Sequence, residues 1–221
     1  MMNKELKKRI ITSFFLLLLL SFMFFYTYIL IVSLIMIALF SWIEFYGLIS
    51  KILKKDDNIS KILRFFFKSV SLIYLTLLIY FIILACAINS QHKIFIIYPI
   101  LISIMSDVGG LVIGKLIKGK KLTMISPKKT ISGSVGSFIF SLSLIPFFNI
   151  YLQQHDLFLL VLISLFISLT SQLGDLFISL LKRMAKVKDT SDLLPGHGGI
   201  LDRIDGIIFA IPLGIYLFII I

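Results

Sequence analysis

The sequence predicts an all-α integral membrane protein, a polytopic bundle of about seven transmembrane helices. Two observations predict it. Of 221 residues, 59% are hydrophobic and only 15% are charged, whereas soluble domains carry about a quarter charged residues. With a mean hydropathy of +1.06, the chain has too little polar surface for a soluble enzyme or a nucleic-acid-binding domain. The apolar residues also fall in long unbroken runs. A helix of about 20 such residues crosses a bilayer, and only helices or closed barrels satisfy their backbone in lipid. The runs are too continuous for the alternating pattern of a barrel strand.

Taken in order, the expected spans are residues 10–26, 28–49, 62–86, 94–114, 131–150, 157–181 and 201–221. The first two share a charge-free stretch over 10–43. Thr27 and Tyr28 offer a hairpin tip, with one long tilted helix as the alternative. Lys4, Lys7, Lys8 and Arg9 resemble the basic start of a signal peptide. The apolar stretch runs far past a signal length, however, and no small-residue cleavage site follows, so the segment is expected to be retained. Cys86 lies alone in an apolar run, so no disulfide framework is expected.

The charge sets the orientation. There are 22 Lys and Arg against 11 Asp and Glu, a formal +11. The basic residues cluster at 4–9, 51–68, 115–129 and 182–188, whereas the loops at 89–93 and 151–156 hold only Lys93. With seven spans every cluster falls on one side, which the positive-inside rule assigns to the cytoplasm. The topology is therefore N-in and C-out, and the basic loops also attract anionic headgroups.

The acids are more informative because they are misplaced. Glu44, Asp107, Asp175, Asp202 and Asp205 fall within or at the edges of apolar spans. A carboxylate near the bilayer centre costs about 2.5–3.5 kcal/mol on insertion scales, and such residues face a partner, a cavity or an ion path. Glu44 and Asp175 lie roughly 10 Å below the cytoplasmic surface at 1.5 Å per residue. Asp202 and Asp205 open the last span at i, i+3, on one helix face. Asp107 is deeper, and Gly109, Gly110 and Gly114 after it allow either close helix approach or a broken helix. Carboxylates gathered at one depth suit Mg²⁺, which keeps some waters and is shared with substrate phosphates; lysines beside them bind phosphate as point charges.

Two loops carry the remaining chemistry. Gly114-Lys115 runs through Lys118, Lys120 and Lys121-Leu122 to Ser126-Pro127-Lys128-Lys129-Thr130; hydroxyls and lysines at a helix start suit an anion, but on these residues alone an ordinary basic stop-transfer loop is the better reading. Further on, Ser179-x-x-Lys182-Arg183 and Lys188-Asp189 precede Pro195-Gly196-His197-Gly198-Gly199, then Asp202-Arg203-x-Asp205. Three glycines around one histidine let backbone and imidazole approach a bulky ligand, and the histidine is placed to bind or protonate a departing phosphate. His92 and His155 lie in loops on the opposite side and read as solvated.

The stretch from Ser179 to Asp205 resembles the signature of the CDP-diacylglycerol synthases, or phosphatidate cytidylyltransferases. The resemblance extends to Asp107, Gly114-Lys115, Lys121-Leu122, Ser126-Pro127-Lys128-Lys129-Thr130 and the Trp42 and Glu44 pair, so it covers most of the chain. Ser132 stands where the family usually has Glu. Leu111 follows Gly110 where a small-aromatic step is usual, Ser191 replaces a common glycine, and Gly206 replaces a serine. The resemblance implies the reaction of CTP with phosphatidic acid to give CDP-diacylglycerol and pyrophosphate.

It implies Asp175, Lys182, His197, Asp202, Arg203 and Asp205 as catalytic. Asp175, Asp202, Asp205 and Asp107 would hold Mg²⁺, alone or with a second ion. Lys121, Ser126, Lys128, Lys129, Thr130, Arg183, Lys188, Gly198 and Gly199 would bind substrate. It further implies N-terminal spans over 1–93 and a catalytic region over 94–221, with cytoplasmic loops 115–130 and 182–200. The setting would be a bacterial inner membrane with the site facing the cytoplasm, with membrane lipids as partners, a homodimer on the resemblance alone, and no nucleic acid. A CTP-dependent lipid-alcohol kinase, or an ion or phosphate transporter, is the alternative reading; a transporter's internal repeats are not found.

Overall fold

The computed structural model describes residues 4–88, 93–151, 156–194, 196 and 198–220. Its elements are helices: α1 (Lys4–Phe25), α2 (Thr27–Ile52), α3 (Asn58–Ile88), α4 (Ile94–Ile117), α5 (Ile131–Leu142), α6 (Ile145–Phe148), α7 (Leu157–Met184), α8 (Leu201–Ile204) and α9 (Ile207–Ile220). Among the described residues the only β pairings are two isolated bridges. The all-α membrane class follows directly. Five helical stretches are long and apolar enough to cross a bilayer, and two shorter apolar helices cover 10–25 and 207–219. Phe14, Phe65 and Phe158 are among many large apolar side chains left exposed, a surface suited to lipid and unfavourable in water.

Three expected boundaries move. The first break falls at Tyr26, the single extended residue between α1 and α2, and not at Thr27 and Tyr28. The span expected over 131–150 is present as the apolar stretch Ile131–Phe148, interrupted after Leu142 between α5 and α6, with Pro146 at the start of the second. The stretch 201–221 is not one helix: α8 ends at Ile204 and α9 starts at Ile207. Asp202 and Asp205 therefore do not share the face of one regular helix. At the break Gly206 lies against Ser171, whose carbonyl oxygen would stand 2.7 Å from an added Cβ, so the backbone comes closer than a side chain permits.

The chain forms two compact units, one of residues 1–90 with 181–204, the other of residues 91–180 with 205–221. In the first, α2 packs on α3. Trp42 Nε1 donates to the Lys68 carbonyl at 3.3 Å, and the Lys68 ammonium stands 3.1 Å from the Tyr46 ring centroid, a cation–π contact.

In the second unit α4 lies against α5 and α9. An added Cβ on Gly133 would stand 2.8 Å from the Gly110 carbonyl oxygen, and one on Gly136 2.8 Å from that of Gly109. Small residues that let two backbones touch are the usual basis of close helix packing in membranes. Of the two possibilities for the glycines after Asp107, close approach is realised: α4 runs unbroken to Ile117. Serines line the same interior. Tyr98 and Ser164 hydroxyls meet at 2.7 Å, Ser106 and Ser168 at 3.1 Å, and Ser137 donates to the Ser106 carbonyl at 2.7 Å.

Candidate active site

Each unit gathers part of the expected set. In the second, the chain leaving α4 turns at Lys118 and Gly119, both with positive φ, then pairs with itself. Leu122 N–H donates to the Lys129 carbonyl at 2.8 Å, and Ile131 N–H to the Lys120 carbonyl at 3.0 Å. This narrow loop returns the chain to Thr130, whose hydroxyl caps α5 by accepting from Gly133 N–H at 3.1 Å. A capped helix start with a threonine at this position is strongly preferred, and the helix end carries partial positive charge.

The loop and helix start wall a cavity of about 430 Å³, within the range of ligand pockets. Asp107, Lys115, Ser126, Lys128, Lys129, Thr130, Ser134, Gln172 and Asp175 line it, with Gly110, Gly114 and Gly133 at the helix contact. Lys129 forms an ion pair with Asp175, whose other oxygen accepts from Ser179 at 3.3 Å. Ser134 donates to Gln172 at 2.5 Å. Two carboxylates, three lysines, hydroxyls and a positive helix end on one cavity suit a ligand that is anionic and metal-associated.

In the first unit Lys182, in the last turn of α7, donates to Asp202 Oδ1 at 2.6 Å. Asp202 Oδ2 accepts from Thr190 N–H at 2.7 Å, the Thr190 hydroxyl at 2.9 Å and Gly199 N–H at 3.0 Å. Burial acts to raise the pKa of this carboxyl. The hydrogen bond from Lys182, with those from the Thr190 and Gly199 amides, outweighs it and holds the group below the usual carboxylate range. Glu44, 4% exposed, sits beside it: Thr190 and Ser191 hydroxyls donate to it at 2.8 and 2.6 Å.

The other expected residues are placed as follows. Lys121 is exposed and bridges Thr130 through its backbone. Arg183, Lys188 and Arg203 are exposed. Asp205 is 7% exposed and its Oδ1 accepts from Gly206 N–H at 3.0 Å. Gly198 has φ +86 and bridges Leu194. His197 lies outside the described residues. Ser132, at the position of the family's Glu, bonds the Lys118 carbonyl and the Thr130 hydroxyl, so it holds the loop turn. Sequence reasoning did not find Thr190, Ser134 or Gln172, and it left Glu44 out of the site set. A threonine next to Lys188-Asp189 was the one available signal.

Among the described residues no three His, Cys, Asp or Glu side chains gather to hold an ion by themselves. Asp107 and Asp175 on one cavity with hydroxyls are nevertheless hard oxygen donors. They fit Mg²⁺, which takes one or two carboxylates and completes its shell with water and phosphate. Asp202 differs, since both of its oxygens already hold donors.

The chain is similar in sequence to known proteins. The phosphatidate cytidylyltransferase of Staphylococcus haemolyticus is 41% identical over 130 residues, 58% of this chain and 50% of that protein. That of Bacillus subtilis is 36% identical over 148 residues, 66% of this chain and 55% of the relative. That of Staphylococcus aureus is 41% identical over 128 residues, 57% and 49%. The chain spans about half the length of the curated relatives it matches. A sequence model of the cytidylyltransferase family matches residues 1–221, and the chain belongs to that family.

Proposed function

We propose that the chain transfers the cytidylyl group of CTP to phosphatidic acid, giving CDP-diacylglycerol and pyrophosphate. The observation that carries this reading is the cavity on which Lys128, Lys129 and the α5 start face Asp107 and Asp175. Its charge pattern suits a triphosphate with a divalent ion, and the family membership favours it over a lipid kinase or a transporter.

A phosphate oxygen of the lipid attacks the α-phosphorus of CTP; the new P–O bond forms as the bond to the β-phosphate bridging oxygen breaks. The attacking oxygen is already anionic, so no strong general base is required. What the protein supplies is positioning and charge neutralisation. Lys128 and Lys129 bind phosphate oxygens, and the Thr130-capped helix start adds its partial charge. Asp175 holds Lys129 in place until a phosphate competes for it. Mg²⁺, held by Asp107 and Asp175, would supply neutralisation of the triphosphate charge. Lys182, fixed by Asp202, is a further cation suited to phosphate within its own unit. His197 is assigned the pyrophosphate leaving group, as the resemblance implies. The site faces the cytoplasm of the cell membrane in this reading, and two copies pair; size measurement in detergent tests the pairing.

The test gives purified protein in detergent labelled CTP, Mg²⁺ and phosphatidic acid. The expected products are pyrophosphate and CDP-lipid in equal amounts. CDP with a phosphorylated lipid would replace the reading with the kinase, and no consumption of CTP would overturn it.

A further inference from the structure

We infer that Glu44 is a positioning residue that closes the neck of the glycine-rich loop; only its kinetic consequence rests on the cytidylyl-transfer reading. Glu44 projects from α2 and is 146 residues before Thr190 in sequence. Oε1 accepts from the Ser191 hydroxyl at 2.6 Å and Ile200 N–H at 2.9 Å. Oε2 accepts from the Thr190 hydroxyl and Leu201 N–H, both at 2.8 Å. Each oxygen thus takes one hydroxyl from the strand entering the loop and one amide from the strand leaving it. The two segments 190–191 and 200–201 are thereby held together by a side chain from another part of the chain.

The neck has no spare room. A Cβ on Gly199 would stand 2.5 Å from Glu44 Oε2. Thr190 has a single hydroxyl proton, yet its oxygen is 2.8 Å from Glu44 Oε2 and 2.9 Å from Asp202 Oδ2. The two acids therefore share one donor, and the position of Glu44 fixes that of Asp202 and of the Lys182 it holds. A carboxylate is the one side chain of this length with four acceptor sites and no donor. In Glu44→Gln an amide N–H must face N–H or O–H donors, so the neck loses acceptors without losing volume.

The experiment compares wild type, Glu44→Gln, Thr190→Val and Thr190→Ser in detergent, by amide hydrogen exchange over 190–202 and by steady-state kinetics. Glu44→Gln should raise exchange at Ile200 and Leu201 about tenfold or more. It should lower kcat by about 10–100-fold, the range typical for loss of an orienting partner, while KM for CTP moves less than threefold by the same reasoning. Thr190→Val should follow it, and Thr190→Ser should recover most of kcat. Unchanged exchange at Ile200 and Leu201 in both Glu44→Gln and Thr190→Val overturns the inference. So does a loss of kcat in Glu44→Gln that is matched by a general loss of folded protein while Thr190→Val keeps full activity. If the wild type does not turn over CTP, the exchange measurement alone decides the neck, and the two readings fail separately.

Discussion

A Cβ placed on Gly136 separates steric packing from helix propensity. In α5 it would stand 2.8 Å from the Gly109 carbonyl oxygen and 2.6 Å from Ile113 Cγ1. The carbonyl is backbone, so no rotamer change relieves the clash, and α4 and α5 must move apart. Over-packing of this kind costs about 1–3 kcal/mol, while Gly→Ala within a helix returns at most about 1 kcal/mol. With the full propensity return subtracted, the net for Gly136→Ala is up to about 2 kcal/mol of lost stability. Gly47, within α2, has nothing within 4 Å of an added Cβ, so Gly47→Ala keeps the propensity gain alone and should stabilise by up to about 1 kcal/mol. Reversible unfolding in mixed micelles, titrated with a denaturing detergent, measures both. Opposite signs are expected. If Gly136→Ala is as stable as Gly47→Ala, α4 and α5 do not approach as described. The cavity they wall, with Asp107 two residues before Gly109, would then need a different account.

Two further outcomes are expected. Asp175→Asn releases Lys129 from its ion pair, so binding of a fluorescent CTP analogue without Mg²⁺ should strengthen severalfold while Lys129→Gln weakens it; equal effects of the two on Mg²⁺-free binding would argue against a shared cavity. The Asp202 carboxyl is held below its ordinary 3.8, so its contribution to stability is complete above that pH and is lost as pH falls through the lower folded value. In Lys182→Met the folded value rises, and acid unfolding monitored by near-UV dichroism should begin at higher pH than in wild type; an unmoved acid transition would deny Lys182 that role.

What was legible in the sequence follows from the physics of each feature. The helices show because lipid demands long apolar runs, and 94–114 and 157–181 fall inside α4 and α7 as expected. The break at Asp205 and Gly206 did not show, because the apolar pattern resumes at Ile207 and the close neighbour of Gly206 is Ser171, 35 residues earlier in sequence. The lysines and hydroxyls of the 126–130 loop fit an anion site in sequence but fit a basic stop-transfer loop better; that they line one cavity shows only in the fold. The partner of Glu44 was invisible: hydrogen bonds across 146 residues leave no local pattern. Thr190 carries no local signal for the same reason, since a hydroxyl shared by two acids reads in sequence as an ordinary loop threonine.

The acids placed where lipid should forbid them are of two kinds, and the donors around each distinguish them. Glu44 takes two hydroxyls and two amides. Hydrogen bonds to a charged group contribute about 1.5–3 kcal/mol each, so the three donors not shared with Asp202 already offset an insertion cost of about 2.5–3.5 kcal/mol. Glu44 is fully accounted for by the fold and needs no ligand to explain its burial. Asp175 has a single serine at 3.3 Å and a lysine, both acid and lysine being only partly buried beside a cavity. An exchangeable pair of this sort is stable alone and is rearranged by a phosphate and a cation, each of which takes one partner. A saturated acid shapes the backbone, and an acid paired with one partly buried lysine beside a cavity keeps acceptor capacity for a ligand. On that criterion Asp202, with donors on both oxygens, belongs with Glu44 as an acid whose burial the fold already satisfies.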